Sequence, residues 1–106
     1  MRLLPVLCTV VCCLSLISCA KDKHEVRFEN QFELQINNVK IGRDGFGNVS
    51  SGQTTSYKVL PQGQLSISGQ SSKGYITGTA HITGKGQHQW TVTLLADKSI
   101  MLVKDK

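Results

Sequence analysis

Apolar and polar residues alternate along most of the chain after residue 24, which is the two-residue period of a half-buried β-strand. Val26 and Phe28 alternate with charged residues, and Trp90, Val92 and Leu94 alternate with Gln and Thr. Many short strands with frequent turns are typical of a sandwich or barrel. The pattern predicts eight strands, near 25–29, 32–36, 39–42, 54–60, 64–69, 75–83, 88–95 and 99–104.

Turn residues between these segments predict four tight hairpins, because Asn, Gly and Pro favour the backbone angles of short loops. Two longer loops, 43–53 and 70–74, remain. We therefore expect an all-β domain, a small antiparallel β-sandwich of about seven to eight short strands. The four predicted loops are Asn37-Asn38, pairing Ile36 with Val39; Pro61-Gln62-Gly63, pairing Val59 with Leu65; Lys85-Gly86-Gln87, pairing Ile82 with Trp90; and Ala96-Asp97-Lys98, pairing Leu94 with Ile100.

The first 18 residues depart from this alternation. A positively charged start, Met1-Arg2, precedes a continuous apolar stretch from Leu3 to Leu16. These are the n-region and h-region of a secretory signal peptide rather than a fold element. The chain is therefore expected to contain a signal peptide over 1–18, a short tether over 19–24 and a β-sandwich domain over 25–106.

The end of the apolar stretch, Leu16-Ile17-Ser18-Cys19, resembles the lipobox of bacterial lipoproteins. The resemblance implies cleavage between Ser18 and Cys19 and attachment of diacylglycerol to the Cys19 thiol. Several acyl chains give a permanent anchor, since each buried methylene contributes about 0.8 kcal/mol. The alternative is an ordinary signal peptide, because three other cysteines precede Cys19.

The residue after Cys19 bears on the location. Ala20 is not the Asp that retains enterobacterial lipoproteins at the inner membrane. By that resemblance, we expect the protein in the bacterial cell envelope, anchored by lipid to the outer membrane. Both the periplasmic face and the surface face of that membrane are compatible with the sequence. No later apolar run approaches the roughly 20 residues of a membrane-spanning helix.

Four segments of the predicted domain carry a family resemblance: Leu34–Gly42, Val59–Gly63, Gly74-Tyr75 and Trp90–Leu94. They resemble segments of PEGA-type domains, which are small β-sandwiches. The similarity covers about residues 26–95, and Asn30-Gln31-Phe32 stands where the family has Pro-x-Gly-Ala. Immunoglobulin-like and transthyretin-like sandwiches share the pattern. The resemblance implies an envelope interaction or spacer module rather than a catalyst.

The charge and cysteine content of the chain limit the classes of partner and scaffold that fit it. The chain has 12 Lys and Arg against 7 Asp and Glu, a net charge of +5. These basic residues are spread singly without aromatic interleaving, which favours attraction to acidic lipid over nucleic-acid binding. All four cysteines lie within the first 19 residues, so a disulfide scaffold is excluded for the domain.

The sequence contains few residues that could form a metal site or a catalytic site. No metal site is expected, because zinc needs three or four converging ligands and His24, His81 and His88 are expected to be exposed or at the rim. No pair of carboxylates suggests a general acid and base, so neither an enzyme nor a cofactor is predicted. The Gly-rich loop that begins at Arg43 and carries Phe46 at its tip is the candidate contact loop.

Two outward-facing features could bind partners. One is an expected outer array of threonines, a kind of surface that can bind ice or glycan, although Thr is also a good strand former on a solvent-exposed face. Its members are Thr77, Thr79, Thr83, Thr91 and Thr93. Met101 and Val103 are expected to be covered by another segment, such as Val26-Phe28, or by a partner.

The sequence thus predicts a lipid-anchored, non-catalytic module that binds or spaces near the membrane. Its expected partners are membrane lipid and an envelope protein or glycan. The alternative is a ligand-capture or inhibitor lipoprotein that inserts loop 43–53 into an incoming enzyme, phage or host factor. A short tether predicts a domain held near the bilayer, with the connections 42–53, 70–74 and 96–98 facing it.

Overall fold

The structure, a computed structural model, describes residues 22–106, so Cys19 and the predicted signal peptide lie outside the described residues. The strands form two four-stranded sheets, which we call sheet A, with strand order β4-β1-β7-β8, and sheet B, with order β3-β2-β5-β6. The predicted all-β sandwich is confirmed. The strands are β1 (Lys23–Asn30), β2 (Ile36–Ile41), β3 (Asp44–Val49), β4 (Lys58–Leu60), β5 (Gly63–Ser71), β6 (Gly74–Ile82), β7 (Gln87–Leu94) and β8 (Ile100–Lys104).

The predicted alternation decides which side chains enter the core. On β1, the inward positions from His24 to Asn30 are buried and the outward positions are half-buried. Both inner faces are apolar, and the two sheets bury them against each other. In the part of the chain that the structure describes, no helix is long and apolar enough to cross a membrane. The buried apolar residues are Val26, Phe28, Phe32, Ile36, Val39, Ile41, Val49, Leu60, Ile67, Ile76, Ala80, Ile82, Trp90, Val92 and Leu94.

The last predicted hairpin is confirmed. Leu94 pairs with Ile100 and Val92 with Leu102, so β7 and β8 are joined by the predicted three-residue loop 96–98. Lys98 closes this loop with a φ of 75°. A left-handed residue at this position is the usual end of a three-residue hairpin loop.

The predicted hairpin at Asn37-Asn38 is wrong, and both residues lie inside β2. The register between β2 and β5 shifts between Asn37 and Lys40, which marks a β-bulge. Asn38 does take a positive φ, 53°, but in the bulge rather than in a turn. The hairpin lies further along, where Ile41 pairs with Asp44. The predicted strand 32–36 is therefore absent, and β3 occupies part of the predicted loop 43–53.

The predicted hairpins at 61–63 and 85–87 are also wrong. β4 pairs with β1 in sheet A, whereas β5 pairs with β2 and β6 in sheet B. Similarly, β6 belongs to sheet B and β7 to sheet A. Both connections cross from one sheet to the other, because a strand's alternation fixes its inner face but not its neighbour.

One strand pair differs from the antiparallel expectation. β1 and β7 run parallel over their whole lengths, from Lys23 opposite Gln87 to Asn30 opposite Leu94. Parallel neighbours need a crossover connection, and here the intervening chain contributes β2, β3, β5 and β6 to sheet B and β4 to sheet A before returning as β7. The first strand of the domain is thereby held in the middle of sheet A.

The register also defines the two ends of the sandwich. The end at which β1 begins, which we call the tether pole, carries the connections 61–62 and 83–86, because His24 lies opposite Leu60 and Lys23 opposite Gln87. The turn 42–43 also lies at this pole beside Pro61, and the C-terminal residues return to it. The expected position of 70–74 and 96–98 at the N-terminal pole is wrong, since both connections follow strands that lead away from it.

Gly69 allows the two strands at the centre of sheet B to pack closely. A Cβ added at Gly69 would lie 2.5 Å from Cγ2 of Ile36. Gly69→Ala is therefore expected to lower the free energy of unfolding by about 1–3 kcal/mol through overpacking. Urea unfolding measures this. The matched control is Gly45→Ala, since a Cβ there has nothing within 4 Å; equal losses in the two variants would contradict the prediction.

Candidate functional site

The tether pole contains a cluster of two histidines and the single tryptophan. The rings of His24 and His88 stack with their centroids 5.5 Å apart, and Trp90 lies 6.1 Å from His24. The parallel register of β1 and β7 places His24 opposite His88. His24 is only 2% exposed, so the prediction of an exposed or rim histidine is wrong there, whereas His81 is exposed as predicted.

Hydrogen bonds fix which ring nitrogen of His24 carries the proton. Trp90 Nε1 donates to Nδ1 of His24 over 3.2 Å, so the ring proton lies on Nε2. Nε2 in turn faces the Gly84 carbonyl at 3.1 Å and Gln62 Oε1 at 3.2 Å. Every polar atom of the ring is paired, which leaves no lone pair for a metal or a substrate. Among residues 22–106, no group of three or more His, Cys, Asp or Glu could hold a metal ion.

The outer face of sheet A carries a connected polar network. Arg27 Nε donates to Thr91 Oγ1 at 3.0 Å, and the Thr91 hydroxyl donates to Asp105 at 2.6 Å. Tyr57 also donates to Asp105, at 2.9 Å, and lies under the Arg27 guanidinium. Partial burial, with the hydrogen bond to Asp105 as the second cause, raises the pKa of the Tyr57 phenol.

Two further pairs of outward polar groups in sheet A are hydrogen-bonded. Gln89 donates to Glu25 at 3.1 Å and Thr93 donates to Glu29 at the same distance. Thr91 and Thr93 are nearly buried beneath these side chains. The predicted single threonine array is therefore wrong, because its members are divided between the two sheets.

Three exposed apolar side chains border the network in sheet A. Val59 is 58% exposed, Met101 44% and Val103 39%. The expected cover from Val26 and Phe28 is wrong, since both residues face the core on β1, and β7 separates β1 from β8.

The outer face of sheet B carries a regular row of eight polar side chains from β5 and β6, which we call the polar ladder. Four outward residues of β5 lie opposite four outward residues of β6. All eight are exposed, and none has an ionisable carboxylate, Lys or Arg side chain. Within residues 22–106, none of their side chains hydrogen-bonds to another protein group. The pairs are Gln64 with His81, Ser66 with Thr79, Ser68 with Thr77 and Gln70 with Tyr75.

A shallow groove of about 230 Å³ lies at the end of the polar ladder that is remote from the tether pole. Tyr75, 76% exposed, forms one wall. The bulge in β2 brings Asn37 and Asn38 to the opposite side. Bulges often re-aim side chains next to functional sites. The remaining lining residues are Lys40, Ser68, Gly69 and Gln70.

The predicted contact loop is a hairpin rather than a long loop. Arg43 is exposed in the turn after β2 and borders a cleft of about 450 Å³ with Pro61 and Leu65. Phe46 lies on β3, half-buried against the core, with the Lys58 ammonium 5.5 Å from its ring. The prediction of a long loop with an aromatic tip is therefore wrong for this segment, because β3 occupies Asp44–Val49.

No protein-family model and no curated protein matches this chain. Among solved structures, one described as "NMR structure of the protein from Eubacterium rectale" is similar. It is 14% identical, the match covers 80% of this chain and 90% of that chain, and the TM-score is 0.49. The resemblance to PEGA-type domains stays a hypothesis from sequence, and its first hairpin segment forms β2 with its preceding connection instead.

Sequence reasoning missed the groove around Tyr75. The alternating Gln, Ser and Thr residues of 64–81 indicate an exposed polar face, but the sequence pattern alone does not separate Thr91 and Thr93 from Thr77 and Thr79. Only the assignment of β6 and β7 to different sheets separates a hydrogen-bonded face from a free one.

Proposed function

We propose that this protein is a lipid-anchored, non-catalytic binding module of the bacterial envelope, held close to the outer membrane. The observation that carries the proposal is the polar ladder: eight exposed, uncharged side chains whose hydrogen-bonding groups are unused within residues 22–106. On sheet A, by contrast, outward polar groups bond to one another. Free polar groups on a rigid sheet suit recognition of a ligand more than chemistry on it.

The anchor is supported by the sequence Leu16-Ile17-Ser18-Cys19 and by the position of β1. Lys23, where β1 begins, lies only four residue steps after Cys19, so the tether spans at most about 14 Å. The tether pole would then face the bilayer. It carries Lys23, Arg43, Lys85, Lys104 and Lys106 against Asp22, Asp44 and Asp105, which favours weak attraction to anionic headgroups.

The same orientation supports binding by the polar ladder. β5 begins at Gly63 near the tether pole and leads away from it, so Gln70 and Tyr75 lie at the far end. A ligand arriving from the aqueous side would therefore meet the groove at Tyr75 first. The alternative of an inhibitor that inserts loop 43–53 has no comparable support, because β3 occupies that segment.

The anchor is tested by substituting Cys19 in the source bacterium. Cys19→Ala should release the protein from the membrane fraction and abolish labelling by a palmitate analogue, because the thiol is the site of lipid attachment. The matched control is Cys13→Ala, which removes a thiol six residues upstream and should leave labelling unchanged. Labelling that survives in Cys19→Ala would overturn the proposal.

A further inference from the structure

The polar ladder differs from an ordinary solvated sheet face in its regularity and its composition. Its four cross-strand pairs extend over six residue steps, about 20 Å at the usual rise of a strand. Each pair offers hydroxyl, amide or imidazole groups that both donate and accept hydrogen bonds. A single large aromatic side chain, Tyr75, ends the row and is 76% exposed.

The groove beside Tyr75 brings two further amides to the same place. Asn37 and Asn38 line it from β2, and Gln70 lines it from β5. Asn37 Oδ1 accepts from Gln35, which leaves the two hydrogens of its NH₂ group free to donate. The backbone nitrogen of Asn38 is held by Asn48 Oδ1 at 3.1 Å, so the bulge that aims these amides is fixed on both sides.

We infer that the polar ladder binds an uncharged glycan chain, with the Tyr75 ring against the C–H face of one sugar and the groove amides bonded to its hydroxyls. This inference rests on the proposed function of a binding module. A sugar ring has one apolar face and a rim of hydroxyls that donate and accept. An exposed aromatic ring beside Asn and Gln amides matches both parts, since Tyr combines an apolar body with a polar tip.

The chemistry of the face disfavours other occupants. Lys40 is the only charged side chain that lines the groove, which is too little for a nucleic acid held through several phosphates. Protein interfaces have an apolar, desolvated centre, whereas Tyr75 is the only large side chain with apolar surface on the ladder. The exposed apolar residues Val59, Met101 and Val103 lie on the other sheet.

The length of the ladder favours a chain over a single sugar. Ser68 and Thr77 continue the row next to Gln70 and Tyr75, and Ser66 and Thr79 follow. Hydroxyls repeated along about 20 Å can bond to successive residues of an extended glycan. Longer oligosaccharides should therefore bind more tightly than the matching monosaccharide.

The experiment uses the purified full-length protein on an array of neutral and acidic oligosaccharides, followed by calorimetry with the bound glycans and their shorter fragments. We expect binding to neutral glycans that tightens with chain length and changes little with salt, because no ion pair is involved. Tyr75→Ala should weaken binding at least about tenfold, as removal of an aromatic hot-spot contact does.

The matched control is Val59→Ala, which removes an exposed apolar side chain from sheet A and should leave binding unchanged. Gln70→Ala should weaken binding through the groove amide without altering the melting temperature. Unchanged glycan binding in Tyr75→Ala would overturn the inference, as would salt-sensitive binding confined to acidic glycans. An array without any bound glycan, or a bound protein partner that Tyr75→Ala does not release, would also overturn it.

The two proposals fail in distinguishable ways. Loss of the palmitate label in Cys19→Ala supports the anchored module whatever the ligand is. Absence of glycan binding overturns the glycan ligand and leaves the anchor standing. If the protein binds glycan but is never lipidated, the proposed glycan ligand stands and the proposed lipid anchor is overturned.

Discussion

Trp90→Ala is expected to lower the free energy of unfolding by about 3–5 kcal/mol, the usual cost of truncating a buried aromatic side chain. Trp90 is 7% exposed and lies on the inner face of β7, opposite Val26. The truncation also leaves Nδ1 of His24 without the donor that it has at 3.2 Å. Since domains are stable by only about 5–15 kcal/mol, much of the total would be lost.

Circular dichroism in urea measures this loss, because the variant has no other tryptophan to report by fluorescence. Trp90→Phe separates the two causes: it retains most of the ring volume and removes the N–H, so a smaller loss is expected. The exposed control is Tyr75→Ala, which should change stability by less than about 0.5 kcal/mol. Equal midpoints for Trp90→Ala and Tyr75→Ala would contradict the buried position.

Asn30→Leu is expected to cost at least about 3 kcal/mol, because the buried amide satisfies three main-chain groups at once. Its Nδ2 donates to the carbonyls of Leu34 and Val49 at 2.9 and 3.0 Å, and its Oδ1 accepts from the Phe32 nitrogen at 2.9 Å. Each buried group left without a partner costs about 1–3 kcal/mol. Val49 belongs to sheet B, so the amide also ties the two sheets together.

Thermal melting with a neighbouring control tests this role. Gln31→Leu introduces the same apolar side chain one residue later, at an exposed position whose backbone nitrogen bonds to Leu94 independently of the side chain. We expect it to melt close to the unchanged protein. If Asn30→Leu and Gln31→Leu melt together, the amide network does not hold the connection between β1 and β2.

The alternation of apolar and polar residues was sufficient to predict the fold class and most of the core. It placed Val26, Phe28, Val92 and Leu94 inward, and all four are buried. The short loop after β7 was also predictable, since three residues leave one register only. Local signals succeeded at this loop because β7 and β8 are neighbours in one sheet, whereas the equally local turn signal at Asn37-Asn38 marks a β-bulge.

The same signals failed where the chain passes from one sheet to the other. Val59 and Leu65 are separated by a plausible turn, yet they belong to different sheets, and Val59 is exposed. Pairing of β1 with β7 joins residues 64 apart in sequence, which no local pattern contains. The neighbour of a strand is selected by the burial of both inner faces together.

The candidate site was likewise predictable in part from the sequence and in part only from the tertiary structure. The sequence contains the exposed polar types that form the ladder, because strict alternation commits Ser66, Ser68, Thr77 and Thr79 to the outer face once their partners are buried. It does not contain the bulge that brings Asn37 and Asn38 beside Tyr75. A bulge depends on the register against a second strand, which forms only when β2 and β5 meet.

What the sequence by itself determined is the two-residue period, and with it an all-β domain whose inner faces are apolar. The tertiary structure alone decided which strands are neighbours, and so which polar groups are paired. On sheet A, β1, β7 and β8 bring carboxylates to threonines and an arginine, which bond to one another. On sheet B, β5 and β6 set side chains without carboxylate, Lys or Arg groups opposite each other, and within residues 22–106 their hydrogen-bonding groups stay free for a ligand.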